Sequence, residues 1–367
     1  MKTEERESSF ELLRIVAMIM IVLSHATWFG VVKASQPDAY ELWQTGSILF
    51  KSASSFSVLG TVGVGLFFMI TGYFTAPKET TSVKKVFLVT VFYAFINVFV
   101  DLVLVAFGVH MYESNGQMLM NLIRVLFIPV SGSVWWFVSA YVLLLIIAPL
   151  YNKFLNKLNR IGIIFLISVL LVFGYTLGNL GSNFHDLEKA VFFYTLGYFF
   201  RNYSVKNSKG KRIIFVICGL VGILLNGLCQ YGVFAFSLQE TTKAVLVRKT
   251  FSMLGYLIAD PVACIGVFGF FNTIRFKNKV VNRIASFTFG VYLFHEAPTI
   301  REMLWMYLFK PWNYYGNVLY FVFIPLCVVS VFIIAIIIEI LRDFVVFRWL
   351  NPVISRICDK CKVKFYK

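Results

Sequence analysis

The stretch Phe10–Val32, FELLRIVAMIMIVLSHATWFGVV, decides the class of fold. It is long enough to cross the hydrocarbon of a bilayer as a helix, which takes about 20 apolar residues. Yet it keeps Arg14 and His25, and ionisable side chains at that depth are costly and usually functional. The stretch therefore predicts a membrane-spanning helix that takes part in chemistry.

The rest of the chain repeats this apolar pattern. Its 367 residues are 59% hydrophobic and 14% charged, a composition that excludes an ordinary soluble domain. We predict an all-α integral membrane protein, a bundle of about ten transmembrane helices. The predicted spans are 10–32, 57–76, 86–108, 134–151, 161–179, 187–200, 212–237, 251–271, 284–306 and 318–341. The sixth is the shortest, and it either crosses fully or forms a re-entrant segment.

The positions of the basic residues predict the orientation of the bundle. Of the 34 Lys and Arg residues, 24 fall on the side of the N-terminus and nine on the opposite side, while Arg14 lies within a span. Because Lys and Arg concentrate in cytoplasmic loops, we predict a multi-pass protein of the cell membrane with both termini cytoplasmic. The same rule accounts for most of the net charge of +16, so we exclude a nucleic-acid partner.

The chain is predicted to form one membrane domain. We assign residues 1–341 to the ten-helix domain and residues 342–367 to a basic cytosolic tail. The tail carries Cys358 and Cys361, but with no second pair and no nearby histidine they do not predict a zinc site, and we expect no metal. The first apolar run is too long for the core of a cleavable signal peptide, so we expect it to be retained.

Arg14 and His25 have a spacing that favours a shared site. At 1.5 Å per residue, His25 lies about 16 Å further along the helix than Arg14. Eleven residues make close to three turns, so both side chains can face one crevice. The alternatives are that Arg14 extends to the headgroups and that His25 is a neutral packing residue with a hydrogen bond.

The ninth predicted span holds a second polar cluster, with Tyr292, His295 and Glu296. His295 is near the middle of that span, so the two histidines can share one depth in the membrane. The alternative is a structural role for His295, with Glu296 as its hydrogen-bond partner.

Other polar or small residues in the spans favour structural roles. Asp101 and Asp260 are weaker site candidates, since either can bind the backbone groups that an irregular helix leaves unpaired. Glu339 is predicted to pair with Arg342, one turn away. The stretch Gly60–Gly65, GTVGVG, lacks the preceding strand of a nucleotide fingerprint and predicts close helix packing instead.

Four stretches of the sequence carry a resemblance to a known family. They are Glu11–Ala17 followed by Ser24-His25, then Val62–Tyr73, Trp135–Tyr141 and Ser286–His295. These stretches resemble acyltransferase family three, bacterial membrane enzymes that acetylate surface polysaccharides and related acceptors. Ten spans is also the usual number in that family.

The resemblance implies that an acyl-coenzyme A donor binds from the cytosol, and the donor that we expect is acetyl-CoA. It implies that Arg14 helps to hold the donor and that His25 serves transfer to a hydroxyl. An imidazole with a pKa of about 6.5 suits a general base at neutral pH. The catalytic candidates are His25, Arg14, His295 and Tyr292, and the donor-binding candidates are Arg14, Lys84, Lys85 and Arg283. These lysines can equally be topology determinants.

The sequence departs from the family pattern at two places. Many members have paired arginines after the second span, where this chain has Lys84 and Lys85, and many have a glutamate where it has Tyr141. These changes suggest a branch with a different acceptor. Some members carry a fused extracellular domain that completes acetylation, and no such domain follows the spans here. We therefore expect direct transfer to the acceptor or to a separate partner.

The function that the sequence favours is O-acyl transfer from cytosolic acyl-CoA to a hydroxyl of a cell-surface glycan or lipid-linked sugar. The alternative is an exporter or flippase of such glycans, with Arg14 and His25 as substrate contacts. Abundant aromatic residues fit both alternatives, because they line sugar paths and membrane interfaces alike. A structural scaffold is disfavoured, since inert helices have little reason to bury these two residues.

Overall fold

A computed structural model describes residues 7–33, 55–78, 80–109, 114–130, 134–178, 185–203, 209–236, 241–314 and 317–345. Every regular element in these ranges is a helix, as predicted. The α-helices are α1 Ser8–Thr27, α2 Leu59–Thr75, α3 Lys84–Ala106, α4 Asn115–Phe127, α5 Trp136–Leu155, α6 Arg160–Val169, α7 His185–Tyr203, α8 Lys209–Ala235, α9 Thr242–Leu254, α10 Asp260–Thr273, α11 Lys279–Ala285, α12 Thr288–Glu296, α13 Pro298–Glu302 and α14 Tyr320–Val345. Cys358 and Cys361 lie outside the described residues.

Short π-helical turns extend four of these helices. They are Trp28–Val32 after α1, Leu170–Thr176 after α6, Gly255–Ala259 between α9 and α10, and Met303–Phe309 after α13. Single π turns in otherwise α-helical segments are frequent at functional sites.

Seven helical stretches in the described ranges are long and apolar enough to cross a membrane. They are Ser8–Val32, Ser55–Thr75, Lys84–Ala106, Trp136–Leu155, Gly210–Ala235, Thr242–Thr273 and Tyr320–Phe344. Each corresponds to one of the ten predicted spans, so the multi-pass membrane architecture is confirmed. The count of ten is not reached, because three predicted spans do not form long uncharged helices.

Each of these three predicted spans departs from a long uncharged helix for a different reason. The helix for 161–179 covers Arg160–Thr176 and is shorter than the seven spanning stretches. The helix for 187–200 is α7, which has three charged residues near its start and Arg201 in its last turn. The three are Asp186, Glu188 and Lys189. The predicted span 284–306 is divided into α11, α12 and α13.

The main break in the last of these segments lies between α12 and α13. Ala297 is extended, with φ −60° and ψ 129°, and Pro298 starts α13. Proline lacks an N–H group and disfavours helical backbone at the residue before it, so α12 ends at Glu296. The break places the side chains of His295 and Glu296 in the last turn of a short helix.

Helix α3 supplies the hydrogen bonds that the break requires. The backbone amide of Thr299 donates to Asn97 Oδ1 at 3.1 Å, and the Thr299 hydroxyl donates to Asp101 Oδ1 at 2.6 Å. Unpaired backbone groups are expensive in an apolar interior, and Asn97 satisfies the amide of Thr299. Asp101 lies at this irregular place in the fold and accepts from the side chain of Thr299.

Asp260 has the same kind of role at another irregular place. It follows the π turn Gly255–Ala259 and accepts hydrogen bonds from Tyr175 at 2.6 Å, from Thr61 at 2.9 Å and from Asn226. Tyr175 itself lies in the π turn after α6. One buried carboxylate therefore connects α2, α6, α8 and α10.

Glycines allow α2 to pack closely on its neighbours. A Cβ atom on Gly72 would overlap the backbone carbonyl of Tyr194 in α7, and one on Gly197 would overlap that of Met69 in α2. In the Gly60–Gly65 stretch, a Cβ on Gly63 would come within 2.5 Å of the Ala17 carbonyl in α1. This confirms the predicted role of that stretch in helix packing.

We expect Gly72→Ala and Gly197→Ala to lower stability by about 1–3 kcal/mol each, since the added methyl group has no room between the helices. The measurement is the thermal unfolding midpoint of the purified protein in detergent. Gly210→Ala is the control, because a Cβ there meets nothing within 4 Å. A Gly72→Ala protein as stable as the Gly210→Ala protein would show that α2 and α7 are not packed this closely.

Candidate active site

The two predicted histidines meet. His25 lies in the last turns of α1 and His295 in the last turn of α12. The distance from His25 Nδ1 to His295 Nε2 is 2.9 Å, which is a hydrogen bond between residues 270 positions apart. The prediction that both histidines share one depth is therefore confirmed.

The surroundings of His295 determine where the protons lie. Its Nδ1 is 2.6 Å from the carbonyl oxygen of Val291, which can only accept, so Nδ1 carries a hydrogen. In the neutral ring Nε2 then accepts, and the donor must be His25 Nδ1. We infer that neutral His25 keeps an unprotonated Nε2, which is the form that a general base requires.

A buried carboxylate lies beside the histidine pair. Glu296 Oε1 is 3.1 Å from His25 Nδ1, and Glu296 Oε2 is 3.6 Å from Arg301 Nη1. The Glu296 side chain is 5% exposed, so its charge acts in a poorly screened environment. The alternative in which Glu296 is the hydrogen-bond partner of His295 is wrong, because the partners of His295 are Val291 and His25.

Arg301 closes this cluster on its exposed side. Its guanidinium lies over the ring of Phe29, 4.4 Å from the ring centroid, and the His25 ring is 5.6 Å from the same Phe29 ring. The His25 side chain keeps 18% exposure and His295 none. Of the two rings, His25 is thus the one that a substrate can reach.

The cluster also offers a set of metal-ligand atoms. One atom each from His25, His295 and Glu296 lie within 4.8 Å of one another. Two imidazoles and a carboxylate could hold a divalent transition metal. Of these atoms, the two imidazole nitrogens share a hydrogen bond, while Glu296 Oε1 is buried without one.

Arg14 lines a cavity further toward the start of α1. This Arg14 cavity has a volume of about 340 Å³. Its lining includes Glu11, Arg14 and Met18 of α1, Tyr141 of α5, Tyr292 of α12 and Arg342 of α14. The Arg14 guanidinium pairs with Glu11 at 2.5 Å and lies 5.6 Å from the centroid of the Phe74 ring.

His25 does not line the Arg14 cavity, so the expectation of one crevice shared by Arg14 and His25 is not met. Tyr292 lies between the Arg14 cavity and the histidine pair. It lines the cavity, and its ring is 6.0 Å from the His295 ring in an edge-to-face arrangement. Phe137, also in the lining, packs on Tyr292 at 5.2 Å and stacks on Tyr141 at 5.6 Å. Aromatic rings therefore separate the cavity from the histidine pair.

The predicted basic residues divide between the cavity and the surface. Lys85 lines the Arg14 cavity, whereas Lys84 and Arg283 are not in its lining. Arg283 instead lies 3.8 Å from Asp343 and 4.5 Å from the centroid of the Phe287 ring. Arg342 pairs with Glu339 at 2.8 Å, as predicted, and both residues line the cavity.

A second cavity adjoins the first. This basic cleft, of about 310 Å³, is lined by Ala76, Pro77, Lys78, Pro149, Asn152, Lys153, Asn156, Arg201 and Asn202. Lys78 lines both cavities. Among the residues that the structure describes, none of the cations of the cleft is paired with a carboxylate. The cleft is therefore suited to an anionic group.

From the sequence alone, several of these residues have no predicted part in a site. Arg301 follows Glu296 by five residues across Pro298, yet it serves only to predict the orientation of the bundle. The same holds for Lys78, Lys153 and Arg201. A helix break beside a histidine is the one local signal that could have identified Arg301, whereas the cleft depends on contacts between distant helices.

One of three comparisons with known proteins identifies the family of the chain. Residues 7–340, nearly the whole chain, match the family described as acyltransferase domain, acyltransferase family three. No curated protein and no solved structure matches the chain. A family match of this length covers the histidine pair and all residues of the two cavity linings except Arg342. The chain therefore belongs to acyltransferase family three and is a membrane acyltransferase.

Proposed function

We propose that the protein transfers an acetyl group from acetyl-CoA to a hydroxyl of a cell-surface glycan or a lipid-linked sugar, with His25 as general base. The observation that carries this proposal is the hydrogen bond from His25 Nδ1 to His295 Nε2, which leaves His25 Nε2 free to accept a proton.

The reaction then follows from the arrangement of the pair. His25 Nε2 takes the proton of the acceptor hydroxyl while the oxygen of that hydroxyl attacks the thioester carbonyl. The tetrahedral intermediate collapses, the carbon–sulfur bond breaks, and the thiolate of coenzyme A takes the proton back from His25. While His25 is an imidazolium, the Glu296 carboxylate 3.1 Å from Nδ1 stabilises its charge, and His295 holds the ring in place.

The donor is assigned to the Arg14 cavity and the basic cleft. With the Ser8 end of α1 in the cytoplasm, as the charge distribution predicts, both open toward the side that holds acyl-CoA. The phosphates of the coenzyme bind Lys78, Lys153 and Arg201, and its arm runs past Arg14 toward Tyr292. We assign Lys85 to the donor because it lines the Arg14 cavity, and we do not include Lys84 and Arg283, which lie outside both linings.

The exporter alternative makes a different prediction. An exporter would move its glycan without consuming acyl-CoA, and family membership favours acyl transfer. Turnover of acetyl-CoA by the purified protein is therefore the observation that separates the two functions.

We expect His25→Ala to lower the rate constant for acetyl transfer by about 10²–10⁴-fold, the usual contribution of a general base. The measurement is transfer of radiolabelled acetyl from acetyl-CoA to an envelope glycan fraction by protein in lipid nanodiscs. Arg14→Ala should mainly raise the KM for acetyl-CoA, since Arg14 is placed along the donor rather than at the reacting atoms.

Two controls accompany the His25 experiment. Unfolding midpoints show that the variants are folded, and dialysis against a chelator tests the alternative use of the cluster as a metal site. Full transfer by His25→Ala would remove the assigned base. Loss of activity on chelation, with recovery on adding a divalent ion, would show that the mechanism is metal-assisted and not the assigned proton transfer.

Glu296→Gln should lower kcat about tenfold with little change in either KM, because the neutral amide no longer stabilises the imidazolium. Steady-state kinetics for both substrates provide the measurement. Glu302→Gln is the matched control, an exposed glutamate six residues further on. An equal loss in both variants would assign the effect to net charge rather than to the contact with His25.

Replacing both Lys153 and Arg201 by Gln should raise the KM for acetyl-CoA about tenfold and leave kcat unchanged, since two partly exposed cations are lost from the phosphate site. The measurement is initial rate against donor concentration at fixed acceptor.

Lys157→Gln is the control for this charge change, because Lys157 is exposed on the same helix end and does not line the cleft. A KM that stays constant in the double variant, or rises as much in Lys157→Gln, would rule out the cleft as the phosphate site.

A further inference from the structure

The C-terminal part of α1 borders another cavity, on the far side of His25 from Arg14. Trp28 lines this Trp28 cavity, whose volume is about 190 Å³. His25 lies seven residues, about 10 Å, beyond Met18 of the Arg14 cavity and three residues before Trp28. Residues three apart on a helix are neighbours on its surface. Along α1, the residue assigned as general base therefore lies between the residues that line the two cavities.

A direct contact links the wall of the Trp28 cavity to the turn that carries His25. The hydroxyl of Ser24 donates to the backbone carbonyl of Ser57 at 2.5 Å, and Ser57 lines the cavity. A Cβ on Gly60 would come within 2.6 Å of the Ser24 hydroxyl oxygen, so the two segments are in close contact. This packing holds the wall of the cavity against the turn that carries His25.

The Trp28 cavity has polar groups that lack partners in the protein. The Ser57 hydroxyl is buried without a hydrogen bond, which is costly unless a ligand or water supplies one. The side chains of Gln230 and Ser252 also line the cavity, and neither has a hydrogen-bond partner among the described residues. Together they offer hydroxyl and amide groups that both donate and accept.

Aromatic rings supply the remaining walls. Trp28, which is 41% exposed, lines the cavity with Phe251 and Tyr256. Flat apolar rings beside groups that both donate and accept hydrogen bonds match the two kinds of surface of a sugar ring, its C–H faces and its hydroxyl edge. The volume is below the range of about 300–1,000 Å³ for pockets of drug-sized ligands, which fits one ring rather than a chain.

The charge of the lining restricts the ligand further. Asp260 is the only charged residue in the described lining, and its carboxylate is already held by Tyr175, Thr61 and Asn226. With no cation in that lining to balance an acid, an anionic sugar would face only the repulsion of Asp260. The lining therefore selects an uncharged ring.

We propose that the Trp28 cavity binds the acceptor of the reaction as one uncharged sugar unit and presents a hydroxyl of that unit to His25. This inference rests on the proposed function, since it assigns the second substrate of the same transfer. Donor and acceptor would then reach His25 from opposite ends of α1.

The test uses the full-length protein in nanodiscs with acetyl-CoA and two probes, methyl β-glucoside and the methyl glycoside of glucuronic acid. We expect acetylation of the neutral glucoside, and a KM for it about three to ten times higher in Ser57→Ala and in Gln230→Ala, the effect of one lost neutral hydrogen bond. The KM for acetyl-CoA and its hydrolysis without acceptor should not change. Ser330→Ala is the control, because its exposed hydroxyl bonds only its own helix at Leu326.

The outcomes separate this inference from the proposed function. If wild-type protein hydrolyses acetyl-CoA in a His25-dependent way but acetylates neither probe, or prefers the glucuronide, the assignment of the Trp28 cavity is overturned and the acyltransferase proposal stands. The assignment also fails if neither cavity variant changes the KM for the glucoside. If wild-type protein turns over no acetyl-CoA under any condition, both proposals fall together.

Discussion

The hydrogen bond between His25 and His295 is the contact on which the arrangement of the site depends. It joins the first helix to one near the other end of the chain, in an interior where an unpaired imidazole nitrogen would be costly. The break after Glu296 makes the contact possible, because it ends α12 with both polar side chains in its last turn. Asn97 and Asp101 of α3 stabilise that break, because they accept hydrogen bonds from the amide and the hydroxyl of Thr299.

The sequence identified much of this arrangement, for definite physical reasons. Hydrophobic length predicted all seven stretches that can span a membrane, and the cost of burying ionisable groups pointed to His25 and His295. The pairing of Glu339 with Arg342 followed from helical spacing alone. In each case the signal lies within one helix, where residue spacing directly determines geometry.

What could not be predicted depends on contacts between helices. Nothing local indicates that Glu296 contacts His25 rather than His295, because His295 and Glu296 are adjacent in sequence. The packing of α12 on α1 determines which histidine Glu296 contacts. Lys84 and Lys85 are neighbours in sequence, yet of the two only Lys85 lines the Arg14 cavity, because helical rotation directs consecutive side chains some 100° apart. Basic residues near helix ends also serve orientation, so their number alone could not distinguish the cleft from an ordinary loop.

Between Met18 and His25, α1 presents Ile21 and Val22, both with 2% exposure or less, and Val62 of α2 is equally buried. A zone of tightly packed aliphatic side chains thus lies along α1 between the charged cavity and the turn with His25. On the proposed function, the bulk of the coenzyme stays on one side of this zone, and only its thioester end reaches His25, past the ring of Tyr292. A reaction at such a place passes an acyl group from one side of a packed zone to the other, while the larger parts of its two carriers stay apart.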